Sequence, residues 1–236
     1  MGGFLEADVE EAALDWLGDV GWTVLNGADH VPGVVGADGG APLRETYEQV
    51  VLGGRLRAAL ARLNPGLSDE ALHQAFVRLT RPEGSDTVRR NRVVHRMLVD
   101  GVTVEYRAPD GGIRGAQARV IDFDNPGNND LLAINQFTIV ENNHQRRPDI
   151  ILFINGLPVV VIELKNAVDS NATVWHAFSQ LQTYRNELTG LFAYNEIIVA
   201  SDGLGARLGT LTANREWMKP WPTIDGRVLA DSGLPE

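Results

Sequence analysis

Apolar residues recur at helical spacing through the first hundred positions and at strand spacing over much of the remainder. Residues 6–20 read as a helix, because Val9, Ala13, Trp16, Leu17 and Val20 return every three or four positions and Gly21 stops the run. Trp22 to Leu25 reads as a short strand, and 26–42, dense in Gly, Pro and Asp, as a loop. A helix is predicted over 44–63, kinked near Gly53-Gly54. Another opens after Ser68, a good N-cap followed by Asp69 and Glu70, and runs to about Leu79. A third covers 86–99 on Val88, Val94, Met97 and Leu98. After Gly101 the period changes to two. Val102, Val104 and Tyr106 alternate, then Ala118, Val120 and, less cleanly, Asp122. Leu131 to Val140 reads as one strand. Asp149–Ile154 and Val159–Lys165 form a hairpin candidate around Asn155-Gly156. Residues 172–188 are helical, Ile197–Ala200 a buried strand, and the tail around Trp217 and Trp221 irregular. The order predicts an α/β (α+β) domain with a mixed, mostly antiparallel sheet and an N-terminal helical region.

Composition narrows this only a little. The 236 residues are 44% apolar and 22% charged, as in ordinary globular proteins. No apolar run approaches the roughly 18–20 residues that span a membrane. The acidic start lacks the layout of a signal peptide. Cysteine is absent, which excludes disulfides, thiolate metal sites and a thiol nucleophile, and fits a cytoplasmic setting. The net charge of −10 argues against a free-standing DNA binder, since phosphate contacts need Lys and Arg. Basic residues cluster in two places: Arg78, Arg81, Arg89, Arg90, Arg92 and Arg96, and then His144, Arg146 and Arg147.

The second cluster runs straight into Asp149, and there the chemistry concentrates. Strand side chains alternate faces, so Glu163 and Lys165 point one way and Ile162 and Leu164 the other. A carboxylate and an ammonium ending a run as apolar as Val159–Ile162 are costly to desolvate and need compensation. A divalent cation held by Asp149, Glu163 and the backbone carbonyl of Leu164 would supply it. Mg²⁺ takes one or two carboxylates plus water and phosphate oxygens, and Lys165 can orient water or neutralise developing charge. The geometry sets a condition. A flat two-residue turn at Asn155-Gly156 pairs Ile154 with Leu157 and sends Asp149 and Glu163 to opposite faces. An even register sum is required, and a three-residue loop pairing Ile154 with Pro158, or a bulge of that parity, supplies it.

Further pieces carry a family resemblance. They are Asn135-Gln136-Phe137, Arg147-Pro148-Asp149, Asn155-Gly156-Leu157-Pro158, Ile162-Glu163-Leu164-Lys165-Asn166, Gln180-Leu181-Gln182-Thr183-Tyr184, Phe192-Ala193-Tyr194-Asn195, Ser201-Asp202-Gly203 and Trp217-Lys219-Pro220-Trp221. Together they resemble the N-terminal nuclease domain of the restriction (R) subunit of type I restriction-modification enzymes, of the PD-(D/E)xK fold. The resemblance is strong over roughly 130–225 and weak over the first helix. It implies Asp149 and Glu163 as metal ligands, Lys165 as the catalytic lysine, Gln180 and Tyr184 as the Gln-x-x-x-Tyr motif, and Glu10 as the first-helix glutamate, a further candidate ligand. His144, Arg146 and Arg147 would meet DNA. It also implies an endonuclease domain over 1–225, with a helical region at about 44–99 and a catalytic core at about 100–210. Residues 226–236 would then lead toward a helicase-like motor. Duplex DNA and the methylation and specificity subunits are the implied partners, with ATP and S-adenosylmethionine used elsewhere in the complex. Two alternatives stay open: a stand-alone repair or recombination nuclease of the same fold, and a docking or DNA-binding module whose site is idle in isolation.

Overall fold

Two faces of one sheet take up the apolar alternation read along the chain. A computed structural model describes residues 6–34, 41–107, 111–166 and 173–221; the segment 226–236 lies outside them. In chain order the elements are α1 (Glu6–Asp19), β1 (Thr23–Asn26), α2 (Gly53–Leu63), α3 (Asp69–Thr80), α4 (Thr87–Asp100), β2 (Val102–Arg107) and β3 (Ile113–Ala118). Then come β4 (Leu131–Asn135), β5 (Ile139–Glu141), β6 (His144–Arg146), β7 (Ile150–Ile154) and β8 (Leu157–Leu164). The last are α5 (Val174–Glu187), α6 (Thr189–Phe192), β9 (Ile197–Ser201), β10 (Ala206–Gly209) and β11 (Lys219–Pro220). The main sheet has seven strands in the order β1-β4-β7-β8-β9-β10-β11, parallel at β1–β4 and β8–β9 and antiparallel elsewhere. β2–β3 and β5–β6 are separate two-stranded ribbons.

Alternation decides what each face meets. Ile151 and Phe153 of β7 and Val159 and Val161 of β8 join the larger core, with Ala177, Leu181 and Tyr184 of α5. Ile150, Leu152 and Leu164 point to the opposite face and pack with Val9 of α1. The helices α3 and α4 start as predicted: the Ser68 side chain accepts from Ala71 N and Asp86 from Arg89 N.

Three boundaries differ from the sequence reading. The helix predicted over 44–63 begins only at Gly53. The preceding segment spends its polar groups on tertiary contacts. The buried Arg44 guanidinium stacks on the Phe137 ring at 3.6 Å and donates to Gln49 O and Thr138 O, while Leu52 N donates to Gly156 O. The predicted strand 131–140 breaks at Gln136, whose φ is +52°, and the chain leaves the sheet to form β5–β6. Val120 and Asp122 lie in a loop organised by the Asp122 carboxylate, which accepts from Asn125 N and Asn128 Nδ2.

The hairpin meets its parity condition through a bulge and not through a longer loop. Asn155 and Gly156 do form a two-residue turn, with φ of +53° and +82°, and Ile154 pairs with Leu157. The three-residue loop is therefore not formed. The required parity arises further along: Phe153 pairs with Pro158, but Leu152 pairs with Val160 and Ile150 with Ile162. Val159 is the extra residue of a β-bulge. Pro158 has no N–H to give the ladder, so the irregularity falls where the ladder is weakest.

Candidate active site

The bulge puts Asp149 opposite Glu163, one step beyond the Ile150–Ile162 pair, on the face that α5 covers. Asp149 sits in the bend entering β7. Its Oδ2 accepts from Leu164 N at 2.7 Å, and its carbonyl accepts from Gln136 N at 2.9 Å. Glu163 is 0% exposed, and among the described residues its Oε2 has no hydrogen-bond partner. Its Oε1 lies 3.3 Å from Lys165 Nζ. That ammonium also donates to Leu164 O at 2.7 Å and to Glu6 Oε1 at 3.0 Å. Lys165 is fixed at its backbone too, where its N–H donates to Ser201 O of β9 at 2.8 Å.

Burial pushes the Asp149 carboxyl up to about 6; the Leu164 N–H and Lys165 oppose this, while Glu6 and Glu10 add to it. Burial, reinforced by the neighbouring Asp149, pushes Glu163 up to about 8. Burial works against the Lys165 ammonium, but Glu163, Glu6 and Asp149 outweigh it and hold its pKa above the ordinary lysine value. Fully ionised, Asp149 and Glu163 together would carry more negative charge than the one ammonium balances.

Gln180 and Tyr184 lie one turn apart on α5, and Gln180 Nε2 donates to the Tyr184 hydroxyl at 2.5 Å. Burial raises the Tyr184 phenol, and the charges of Glu163 and Asp149 raise it further, so this ring stands within the field of the acidic pair. Glu10 of α1 accepts from Asn135 Nδ2 at 2.6 Å and from Gln136 Nε2. The basic residues ahead of Asp149 separate in role. Arg146 makes a two-point contact with Glu187 at 2.6 and 2.9 Å, and His144 Nδ1 lies 3.4 Å from the same carboxylate. Arg147 is exposed and, among the described residues, makes no hydrogen bond or ion pair. The arginines of α3 and α4 lie elsewhere. Asn91 and His95 tie α4 to Asn195 and Glu196, at the end of the sheet where β9 begins. A cavity of about 570 Å³ lies between α3, α4 and the β2–β3 ribbon, with Arg78, Arg81 and Arg96 in its lining.

Sequence reasoning passed over Glu6, Arg44 and any role for Asn135 and Gln136. Glu6 has no local signature, because only the chain path brings α1 to Lys165. Asn135-Gln136 did carry a signal, a polar pair closing the apolar run Leu131–Ile134, which reading a longer strand obscured.

A mixed sheet flanked by helices, with two carboxylates and a lysine brought together on adjacent strands, is a PD-(D/E)xK-like α/β fold. Residues 3–217 match the family model for the type I restriction enzyme R protein N terminus, and the chain belongs to that family. The type I restriction enzyme HindI endonuclease subunit of Haemophilus influenzae is 38% identical over 221 residues, 93% of this chain and 20% of that protein. The MjaIXP protein of Methanocaldococcus jannaschii is 30% identical over 220 residues, again 20% of its length. The EcoprrI endonuclease subunit of Escherichia coli is 28% identical over 186 residues, 75% of this chain and 56% of that one. The chain thus spans about a fifth of the length of the first two relatives. Among the described residues, no helix is long and apolar enough to cross a membrane.

Proposed function

We propose that this chain is the Mg²⁺-dependent endonuclease domain of a type I restriction-modification R subunit, hydrolysing phosphodiester bonds of duplex DNA in the cytoplasm. The observation that carries the reading is the fully buried Glu163, whose Oε2 lacks a partner among the described residues while Asp149 stands opposite. A buried carboxylate oxygen left without a partner is costly, and a cation is the partner that chemistry supplies. The donors fit a hard cation: two carboxylates, with Leu164 O keeping a second lone pair beside its bond from Lys165. Among the described residues no three acidic or histidine side chains gather into a complete cage. Mg²⁺ suits such a seat, because water and substrate phosphate complete its shell.

When bound, the cation acidifies a water and offsets charge on the attacked phosphate. Lys165 keeps its ammonium charged beside Glu163 and presents it to the charge that develops there. The Tyr184 hydroxyl, held by Gln180, orients groups on the α5 side of the seat. Arg147 offers its guanidinium to the DNA backbone next to Asp149, with His144 as a weaker contact. Target choice, methylation state and ATP-driven movement fall to the specificity and methylation subunits and to other parts of the R polypeptide. Family membership favours this setting over a stand-alone repair nuclease. Cleavage of plasmid DNA by the R subunit in its assembled complex, with Asp149→Ala beside wild type, tests the proposal. Loss of cleavage with intact DNA binding and ATP hydrolysis is expected. Undiminished cleavage by Asp149→Ala removes the catalytic role, and an isolated domain that takes no cation points to an idle docking module.

A further inference from the structure

The pair Asn135-Gln136 ends β4 beside the acidic site, and several contacts converge on it. Asn135 Nδ2 and Gln136 Nε2 each donate to a different oxygen of the Glu10 carboxylate. Gln136 N donates to Asp149 O at 2.9 Å. Gln136 holds the left-handed conformation at φ +52°, which a non-glycine residue keeps only when its surroundings over-determine it. Those surroundings are visible. A Cβ on Gly27 would stand 2.5 Å from Asn135 O and 2.9 Å from Gln136 O, so the turn after β1 packs directly on this backbone. On the far side Arg44 stacks on Phe137 and donates to Thr138 O. The segment is wedged from both directions, and its side chains reach across to α1 while its N–H reaches Asp149.

We propose that Glu10, Asn135 and Gln136 form a positioning relay, through which α1 fixes the backbone of Asp149 and so the shape of the cation seat. This rests on the metal-dependent reading above. In it, Glu10 acts through Gln136 and is not a ligand in its own right. Each of its oxygens is held by one of the two amides, which aims the carboxylate at the end of β4, and it lies on α1, which packs on the sheet face opposite α5. Residues that hold a ligating carboxylate in place change metal affinity about 10–100-fold when removed.

Gln136→Gly is the discriminating variant. Glycine keeps the left-handed turn and the N–H to Asp149 without strain and deletes only the side-chain link to Glu10. Mn²⁺ titrated calorimetrically into the 236-residue chain reads the seat directly. The relay predicts that Gln136→Gly and Glu10→Ala each weaken Mn²⁺ binding by about 10-fold or more. It predicts that the double variant is no weaker than Glu10→Ala alone. It also predicts an unchanged melting temperature without metal but a smaller Mn²⁺-induced rise. If Gln136→Gly binds Mn²⁺ like wild type while Glu10→Ala does not, Glu10 acts as a ligand and the relay is wrong. If only the metal-free melting temperature falls, the pair merely docks α1 and the relay is again wrong. If wild type itself takes no Mn²⁺, the metal-dependent reading fails, a result distinct from either.

Discussion

Glu163 Oε2 is buried without a partner among the described residues, opposite the mostly buried Asp149, and the ionisation of the two carboxyls is the cost that shapes the site. Unfolded carboxylates ionise near pH 4. In the folded, metal-free chain burial raises Asp149 to about 6 and Glu163 to about 8. Between about pH 4 and 8 the folded state therefore binds more protons than the unfolded one, and stability falls as pH rises. Denaturant melts without metal should show this loss from pH 5 to pH 9. Glu163→Gln should remove the upper part of it and leave the metal-free protein more stable at pH 9. Cation binding needs both carboxylates ionised, so its affinity should rise across the same window, with protons released. The two neighbouring arginines should separate cleanly. Arg147→Ala should weaken DNA binding by the assembled complex uniformly across sequences and lower its salt slope by about one contact. Arg146→Ala should cost about 1 kcal/mol of stability, since its guanidinium is engaged by Glu187 at a partly exposed position.

The hairpin β7–β8 is the element that turns residues into a site, and its register was only half legible. The turn residues and the required parity could be read from Asn155-Gly156 and from the positions of Asp149 and Glu163. A bulge of that parity was one of two legible solutions, but its place at Val159 was not legible, because a bulge's position depends on what the ladder tolerates on both strands. The same limit applies to 44–52, where helical spacing lost to the burial of Arg44 against Phe137. Core strands and capped helices were legible because one period or one side chain fixes them locally. The turn end of the hairpin is anchored by tight packing: a Cβ on Gly156 would lie 2.6 Å from Leu52 O, and its φ is +82°. Gly156→Ala should therefore destabilise by more than about 1 kcal/mol, measured by urea unfolding, because the strain falls on the turn itself.

At the scale of the whole molecule the net charge of −10 is reconciled with the proposed cutting chemistry if other parts of a longer R polypeptide or its complex hold the DNA. Tyr194 tied to Leu79 of α3, and Asn91 and His95 of α4 tied to Asn195 and Glu196, place these helices toward the opposite end of the sheet from Asp149, so on the proposed reading their arginines add little at the attacked phosphate. The isolated chain should bind duplex DNA weakly, with the affinity vanishing as salt is raised. Sequence alone pointed to the family, the acidic strand pair and Glu10; the contact of Glu6 with Lys165 and the amide partners of Glu10 needed the folded path. Everything about activity depends on the strand pair taking a divalent cation. The decisive experiment is calorimetric titration of Mg²⁺ into the purified chain at pH 8, alongside Asp149→Ala and Glu163→Gln. Wild type should bind with proton release, and neither variant should bind. Binding that survives both substitutions, or a folded wild type that takes no cation, would rule out the strand pair as a cation seat.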